Sequence, residues 1–284
     1  MRETKTSLQE AAKLIMKAEG ILIGAGAGMG VDSGLPDFRG PEGFWKAYPP
    51  IAKLGLRFEQ MANPHWFAKD PELAWGFYGH RLNLYRNTTP HEGFGILKRW
   101  VNDQSIHAFV YTSNVDGHFQ RAGFEPEEII ECHGSLNHLQ CLAECGQAIW
   151  SADETQVSVN TNTLRAANPL PSCPSCGKLA RPNVLMFGDW GWNSERANGQ
   201  RNQFLKRQRK TERCELIAIE VGAGKNVPTV RHTCEQYASG ENCSLIRINP
   251  RDVNVPRGSI ALSLRGLDAL ERLDALLKSL VPAI

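Results

Sequence analysis

The sequence predicts an α/β fold: a doubly wound, Rossmann-like parallel sheet with a small zinc-ribbon plus helical module. Three observations predict it. Short apolar runs alternate with helix-length amphipathic segments along the chain, the pattern of a parallel sheet covered on both faces. The first of those runs, Ile21–Ile23, leads straight into a cluster of glycines. Two spaced cysteine pairs then interrupt the alternation between Ser135 and Arg181.

Taken in order, Ser7 and Glu10 read as a capping box opening a helix whose apolar positions are Leu8, Ala11, Ala12, Leu14 and Ile15, with Gly20 closing it. Ile21–Ile23 is the first buried strand. From Gly40 to Trp100 the chain is aromatic and helical in period, punctuated by Pro49, Pro50, Pro64 and Pro90. His107–Thr112 is a second strand, and Ile129–Ile130 a third, ending at Cys132-His133-Gly134. Later strands are expected at Asn183–Phe187, Leu216–Val221 and Ser244–Ile248. A last helix carries Leu267, Leu270, Leu273 and Leu276. The expected division is a discontinuous nucleotide-binding domain of residues 1–39, 101–135 and 183–284. A small domain is expected from a helical insertion, 40–100, and a metal module, 136–182.

With 284 residues, 42% of them hydrophobic, the chain can bury a sizeable core. A net charge of +2 gives no global signal for a polyanionic partner, so direct nucleic-acid binding is not expected. No apolar run approaches membrane-spanning length and the first residues read as a helix, so a cytoplasmic protein is expected. The basic stretch QFLKRQRK, Gln203–Lys210, reads as a solvated helix face.

The glycines at 24, 26, 28, 30 and 34 do not keep the dinucleotide spacing G-x-G-x-x-G. Alternating Gly and Ala still lets backbone amides approach a pyrophosphate. Pro36-Asp37-Phe38-Arg39 follows at once, placing an aromatic face and a guanidinium on a loop that can close over a ligand. A cofactor recycled by hydride transfer needs no such lid; one that is itself broken does.

Cys141-x3-Cys145 and Cys173-x2-Cys176 read as two knuckles of one tetrahedral zinc site, with His138 as an alternative to Cys141. Four thiolates leave no open coordination position, so the zinc is expected to be structural. Cys132, Cys214, Cys234 and Cys243 lack partner spacing and read as small core residues.

Gly26-Ala27-Gly28, five residues, then Gly34-Leu35-Pro36-Asp37-Phe38-Arg39 resembles the sirtuin signature. Thr112-Ser113-Asn114-Val115-Asp116, Glu131-Cys132-His133-Gly134 and Arg181-Pro182-Asn183-Val184-Leu185-Met186-Phe187-Gly188 resemble further sirtuin motifs, in the family's order. The resemblance implies NAD consumed as a co-substrate, acylated protein lysines as the other substrate, and nicotinamide, free lysine and O-acyl-ADP-ribose as products. It implies His133 as general base and Asn114 as orienter of ribose or water. It places NAD contacts at Gly26, Ala27, Gly28, Asp37, Phe38, Arg39, Ser113, Asn114, Val115, Asp116, Gly222, Ala223, Gly224 and Asn249. Substrate contacts fall at Val184, Phe187 and Gly188, where the family adds the peptide as an edge strand. The departures are Gly30 and Ser113 for a serine and a glutamine, Gly222-Ala223-Gly224 for Gly-Thr-Ser, and Trp190-Gly191-Trp192 where the family has Leu-Pro. The rival readings are ADP-ribose transfer or NAD hydrolysis at the same site, and an NAD-binding sensor without turnover.

Tyr78 and Arg81, three apart on one helix face, resemble the Tyr-x-x-Arg pair with which one sirtuin class grips the carboxylate of succinyl or malonyl groups. The competing reading packs Tyr78 in the core and leaves Arg81 in solvent.

Overall fold

A computed structural model of the chain describes residues 2–36, 40–103, 107–208 and 215–280. Its strands, in chain order, are β1 Gly20–Ala25, β2 His107–Thr112, β3 Ile129–Glu131, β4 Gly134–Cys141, β5 Trp150–Ser151, β6 Val159–Asn160, β7 Arg165–Ala166, β8 Ala180–Val184, β9 Leu216–Val221, β10 Cys243–Ile248 and β11 Ile260–Leu262. Six of them form one parallel sheet in the order β11-β10-β9-β1-β2-β3. The chain winds outward from β1 through β2 to β3, then returns to the other side of β1 at β9. The topological switch point therefore lies between β1 and β9, where open α/β sheets bind ligands at the C-terminal strand ends.

Period-two alternation fixes both faces. Ile21, Ile23, Val110, Ile219 and Ile246 bury one way, against Ala11, Ile15, Leu270 and Leu273 of the two terminal helices. Leu22, Phe109, Ala218 and Leu245 bury the other way, against Val230 and Cys234. The first helix runs Arg2–Lys17, so Ser7 lies inside it and not at its cap; the buried stripe on the last helix, Gly266–Leu280, extends the helix past that signal. Gly20 is the first residue of β1, in register with His107 and Leu216.

The small lobe packs a three-stranded antiparallel sheet, order β5-β4-β8, and the hairpin β6–β7 against the helix Pro71–Asn87. That helix starts where Asp70 accepts from the Leu73 amide at 3.2 Å, with Pro71 supplying the first turn. Its core is aromatic: Phe44, Tyr48, Phe67, Trp75, Phe77 and Tyr78 meet Leu136, Leu139 and Val184. Trp75 Nε1 donates to the Ala180 carbonyl at 2.9 Å, tying helix to sheet.

Two expected boundaries shift. The helix Glu92–Asp103 packs Phe94, Leu97 and Trp100 into the core of the large sheet, so the helical insertion ends before residue 100 in packing terms. The strand expected over 183–187 is β8, 180–184, because beyond Val184 the amides leave the ladder: Leu185 donates to His133 O and Phe187 to Ala62 O, each at 2.9 Å. Within the module, β5, β6 and β7 form in segments where no strand is expected.

Candidate active site

A crevice of about 880 Å³ separates the lobes, within the range of small-molecule sites. Its floor is made by two loops at the C-terminal ends of β1 and β9. They touch backbone to backbone: Gly28 N donates to Gly222 O at 3.0 Å and Gly26 N to Val221 O at 3.0 Å. A Cβ on Gly222, which has φ +65°, would lie 2.4 Å from the Gly28 carbonyl carbon, and one on Gly26 would lie 2.6 Å from Ala223 Cα. Only glycine allows this approach. Gly26, Ala27, Gly222, Ala223 and Gly224 line the crevice; Gly28 sits behind them in the short helix Ala27–Val31.

The third wall comes from the ends of β2 and β3. Ser113, Asn114, Val115 and Asp116 line the crevice directly after β2, and His133 after β3. Asn114 Nδ2 donates to Gly26 O at 3.0 Å, tying this segment to the glycine loop and leaving the amide oxygen as its other polar end. Asp116 accepts from the His118 amide at 3.0 Å. His133 is half-buried; burial pushes its imidazole below the usual histidine range, partly opposed by a hydrogen bond with the Ser113 backbone. Burial therefore favours the neutral imidazole. Gly134, at φ +77°, would place a Cβ 2.0 Å from Asn183 O, which is why a glycine must follow this histidine where β4 meets β8.

Asn249 differs from expectation. It is fully buried and does not line the crevice: its Nδ2 donates to Ala223 O at 2.9 Å, and its Oδ1 accepts from the Arg251 and Asp252 amides at 3.1 and 3.0 Å. It shapes two loops that do line the crevice. Asp37, Phe38 and Arg39 lie outside the described residues, as does Cys214.

Val184, Phe187 and Gly188 line the opposite wall, where Tyr78 and Arg81 rise from the helix Pro71–Asn87. Tyr78 is 1% exposed and packs in the aromatic core, yet among the described residues its hydroxyl has no hydrogen-bond partner. Burial raises its pKa, keeping it a neutral donor. Arg81 is not solvated: at 7% exposure its guanidinium lies among Phe58, Phe77, Tyr78 and Tyr85, with Nε and Nη2 donating to Tyr85 Oη at 3.1 and 2.9 Å. Sequence reasoning missed Tyr85 and Phe58. Tyr85, four residues after Arg81, had a readable signal in that helical spacing; Phe58 had none.

The thiols of Cys141, Cys145, Cys173 and Cys176 all lie within 4.8 Å of one another, with Cys141–Cys176 and Cys145–Cys173 separations of 3.6 Å. A tetrahedral ion with bonds near 2.3 Å sets its sulfurs about 3.8 Å apart, so the cluster fits zinc. Burial pushes the Cys141 thiol up, but hydrogen bonds from the Cys145 and Ala143 backbone and the neighbouring thiols outweigh it, leaving its pKa about 7. His138 is not part of the cluster. Cys234 is buried; Cys132 and Cys243 are half-buried, and burial lifts the Cys132 pKa to about 12. No described helix is long and apolar enough to cross a membrane.

Residues 26–228 match the Sir2 family. The chain is 34% identical over 180 residues to the "NAD-dependent protein deacylase 1" of Archaeoglobus fulgidus, covering 62% of this chain and 63% of that protein. It is 31% identical over 245 residues to the "NAD-dependent protein deacylase" of Leptospira interrogans, covering 85% of each. The matched part spans 65% of a Thermococcus kodakarensis relative. Among solved structures it resembles a Sir2 homologue–NAD complex (28% identity, TM-score 0.68, 96% of this chain and 94% of that one) and an ADP-ribose complex of a Sir2 homologue (26%, 0.69, 97% and 98%). With the family's match covering well over half of its length, and with solved Sir2 homologues sharing its fold, the chain belongs to the Sir2 family, the sirtuins.

Proposed function

We propose that the chain is an NAD-dependent protein-lysine deacylase that releases nicotinamide, free lysine and O-acyl-ADP-ribose. The observation that carries this reading is that a neutral imidazole, His133, opens on the same crevice as the two interlocked glycine loops. The crevice fits NAD: its floor exposes backbone where no side chain could stand, as a pyrophosphate requires. Bound NAD supplies a ribose carbon whose bond to nicotinamide can be broken in exchange for an acyl oxygen.

The chain's residues do the rest. Gly26, Ala27, Gly222, Ala223 and Gly224 carry the phosphates and adenosine on backbone, with Asn249 setting the loops from behind. Val115 and Asp116 hold the carboxamide, and Asn114 orients ribose or water through its amide oxygen; Asp37, Phe38 and Arg39, outside the described residues, are assigned to NAD by the family resemblance alone. His133 takes a proton from a ribose hydroxyl on a ring nitrogen, its imidazole kept neutral by burial. Val184, Phe187 and Gly188 receive the acyl-lysine segment. Because the amides of Leu185 and Phe187 are already used, this wall offers chiefly carbonyl acceptors to an added strand.

The test is mass spectrometry of the products formed with and without NAD from a panel of acyl-peptides. O-acyl-ADP-ribose is the expected adduct; ADP-ribose on protein or free in water, without that adduct, establishes the transferase or hydrolase reading instead. His133→Ala lowers the rate by about 10²–10⁴.

A finer reading is favoured by the unpartnered hydroxyl of Tyr78. A buried donor without a partner costs about 1–3 kcal/mol, and an acyl carboxylate reaching between Tyr78 and Arg81 would relieve it. Succinyl or malonyl groups then exceed acetyl as substrates.

A further inference from the structure

Trp190 is 100% exposed, yet it stands at the crevice on a loop that is held from beneath by buried polar groups. Arg181 forks onto Asp189, the preceding residue, and its Nη2 also donates to Val184 O at 2.9 Å. Gln140 Nε2 donates to Gly191 O at 2.7 Å, while Gln140 Oε1 accepts from the Asn193 backbone amide at 3.1 Å and from Asn183 Nδ2 at 2.9 Å. Arg181, Gln140 and Asn183 are themselves buried. The loop on either side of Trp190 is thus held in place, while the indole itself stands in solvent. An aromatic side chain carried on an ordered loop gives binding surface without the entropic cost of ordering its backbone.

The surroundings of the indole are acidic. Glu59 also lines the crevice, next in the chain to Phe58, whose ring meets Phe187 edge-on at 6.1 Å. Glu144 Oε1 comes 2.9 Å from where a Cβ would sit on Gly191. Both carboxylates are exposed, and among the described residues neither forms an ion pair. On the opposite wall Lys225 is matched to Asp252 at 3.4 Å. An electron-rich indole face beside unpaired carboxylates attracts a cation.

We propose that Trp190, with Glu144 and Glu59, is a docking platform for an arginine or lysine flanking the acyl-lysine, selecting basic stretches of polypeptide. The inference rests on the deacylase reading and names its substrate class. The wall continues directly from Val184 through Gly188 to Trp190, so a peptide lying along it passes the indole within a few residues of the reacting lysine.

The test uses the full chain with NAD and acyl-peptides carrying arginine, alanine or glutamate at each flanking position in turn. The wild-type protein is expected to show a KM for the best arginine peptide about tenfold below that for alanine, with glutamate worse still. Trp190→Ala raises that KM about five- to tenfold with kcat held within about twofold, Trp190→Phe restores part of it, and Glu144→Gln raises it about two- to threefold. A thermal midpoint equal to wild type separates binding from folding. Wild-type turnover of all three peptide sets with one common KM overturns this inference and leaves the activity standing. Equal losses in kcat and KM for every peptide in Trp190→Ala overturn it too. No turnover of any acyl-peptide overturns the deacylase reading itself, and the platform with it.

Discussion

The two walls of the crevice solve the same problem with different materials. The large lobe is an aliphatic sheet buried on both faces, with strands of up to six residues in unbroken register. The small lobe has strands as short as two residues, an aromatic core and a cluster of thiols. Yet each carries a fully buried arginine–carboxylate pair. In the large lobe Arg247 meets Glu220 at 2.6 Å, and it reaches the Asn254 carbonyl; Arg231 extends the network to Asp252 and Asn254. In the small lobe Arg181 meets Asp189 and fixes the loop that leads to Trp190. Buried pairs add little net stability but cost much to break. Their use here is to hold loops that no regular ladder reaches. The large lobe would keep its shape without such devices; the small lobe depends on them and on its metal.

That contrast can be broken or sharpened by experiment. The largest effect is expected from removing the metal. Structural zinc contributes on the order of 10 kcal/mol or more to small domains. Chelation, or Cys173→Ser, is expected to release one zinc, abolish turnover and open residues 136–182 to proteolysis while amides of the central sheet stay protected. Full activity in protein shown by elemental analysis to be metal-free would end the contrast.

Next in size are single side chains in each lobe. Ile219→Ala, in the centre of the sheet, is expected to cost about 2–5 kcal/mol in denaturant unfolding. Asp189→Asn leaves Arg181 buried without its charge partner and is expected to cost about 3–5 kcal/mol. Its signature is local: hydrogen exchange quickens around 181–193 before the sheet responds. Uniform loss of protection in both variants would show one cooperative unit.

A smaller effect reads the acyl end. Arg81→Met is expected to lower kcat/KM for a succinyl-peptide at least tenfold, equivalent to about 1.4 kcal/mol, with deacetylation retained. Equal losses on both acyl groups would remove the carboxylate reading.

The smallest effect is with pH. Burial depresses His80, His91, His118 and His133, and it brings His138, with help from Arg196, to about 4. The unfolded chain binds protons at these sites from about pH 6.5 downward while the folded chain refuses them. Stability is therefore complete above that pH and falls as pH drops toward 4. For catalysis, the acid limb of kcat/KM is expected to have its midpoint below 6.5, because His133 stays neutral to lower pH than a free imidazole. A midpoint above 6.5 would mean that a different group is the base.

Much of the site was legible in the sequence for a simple reason. Gly26, Ser113–Asp116 and His133 each follow a strand, and three adjacent parallel strands bring their C-terminal ends to one edge. Local order along the chain becomes proximity in space. The cysteines were legible because thiolate spacing reports a shared ion. The start of the first helix was misread at Ser7, since a capping pattern is a local preference and packing on the last helix overrides it.

By itself, then, the sequence determined the central strands of the parallel sheet and which residues of chemistry follow them, since two-residue periodicity and glycine act over a few positions. Only the tertiary structure decided that Asn249 supports the crevice from behind and that Arg81 is enclosed by rings. It alone decided that Glu220 finds Arg247, that Asp189 finds Arg181, and that Trp190 is left bare on a rigid loop. These depend on contacts between segments with no shared period, and on burial, which is a property of the assembled surface.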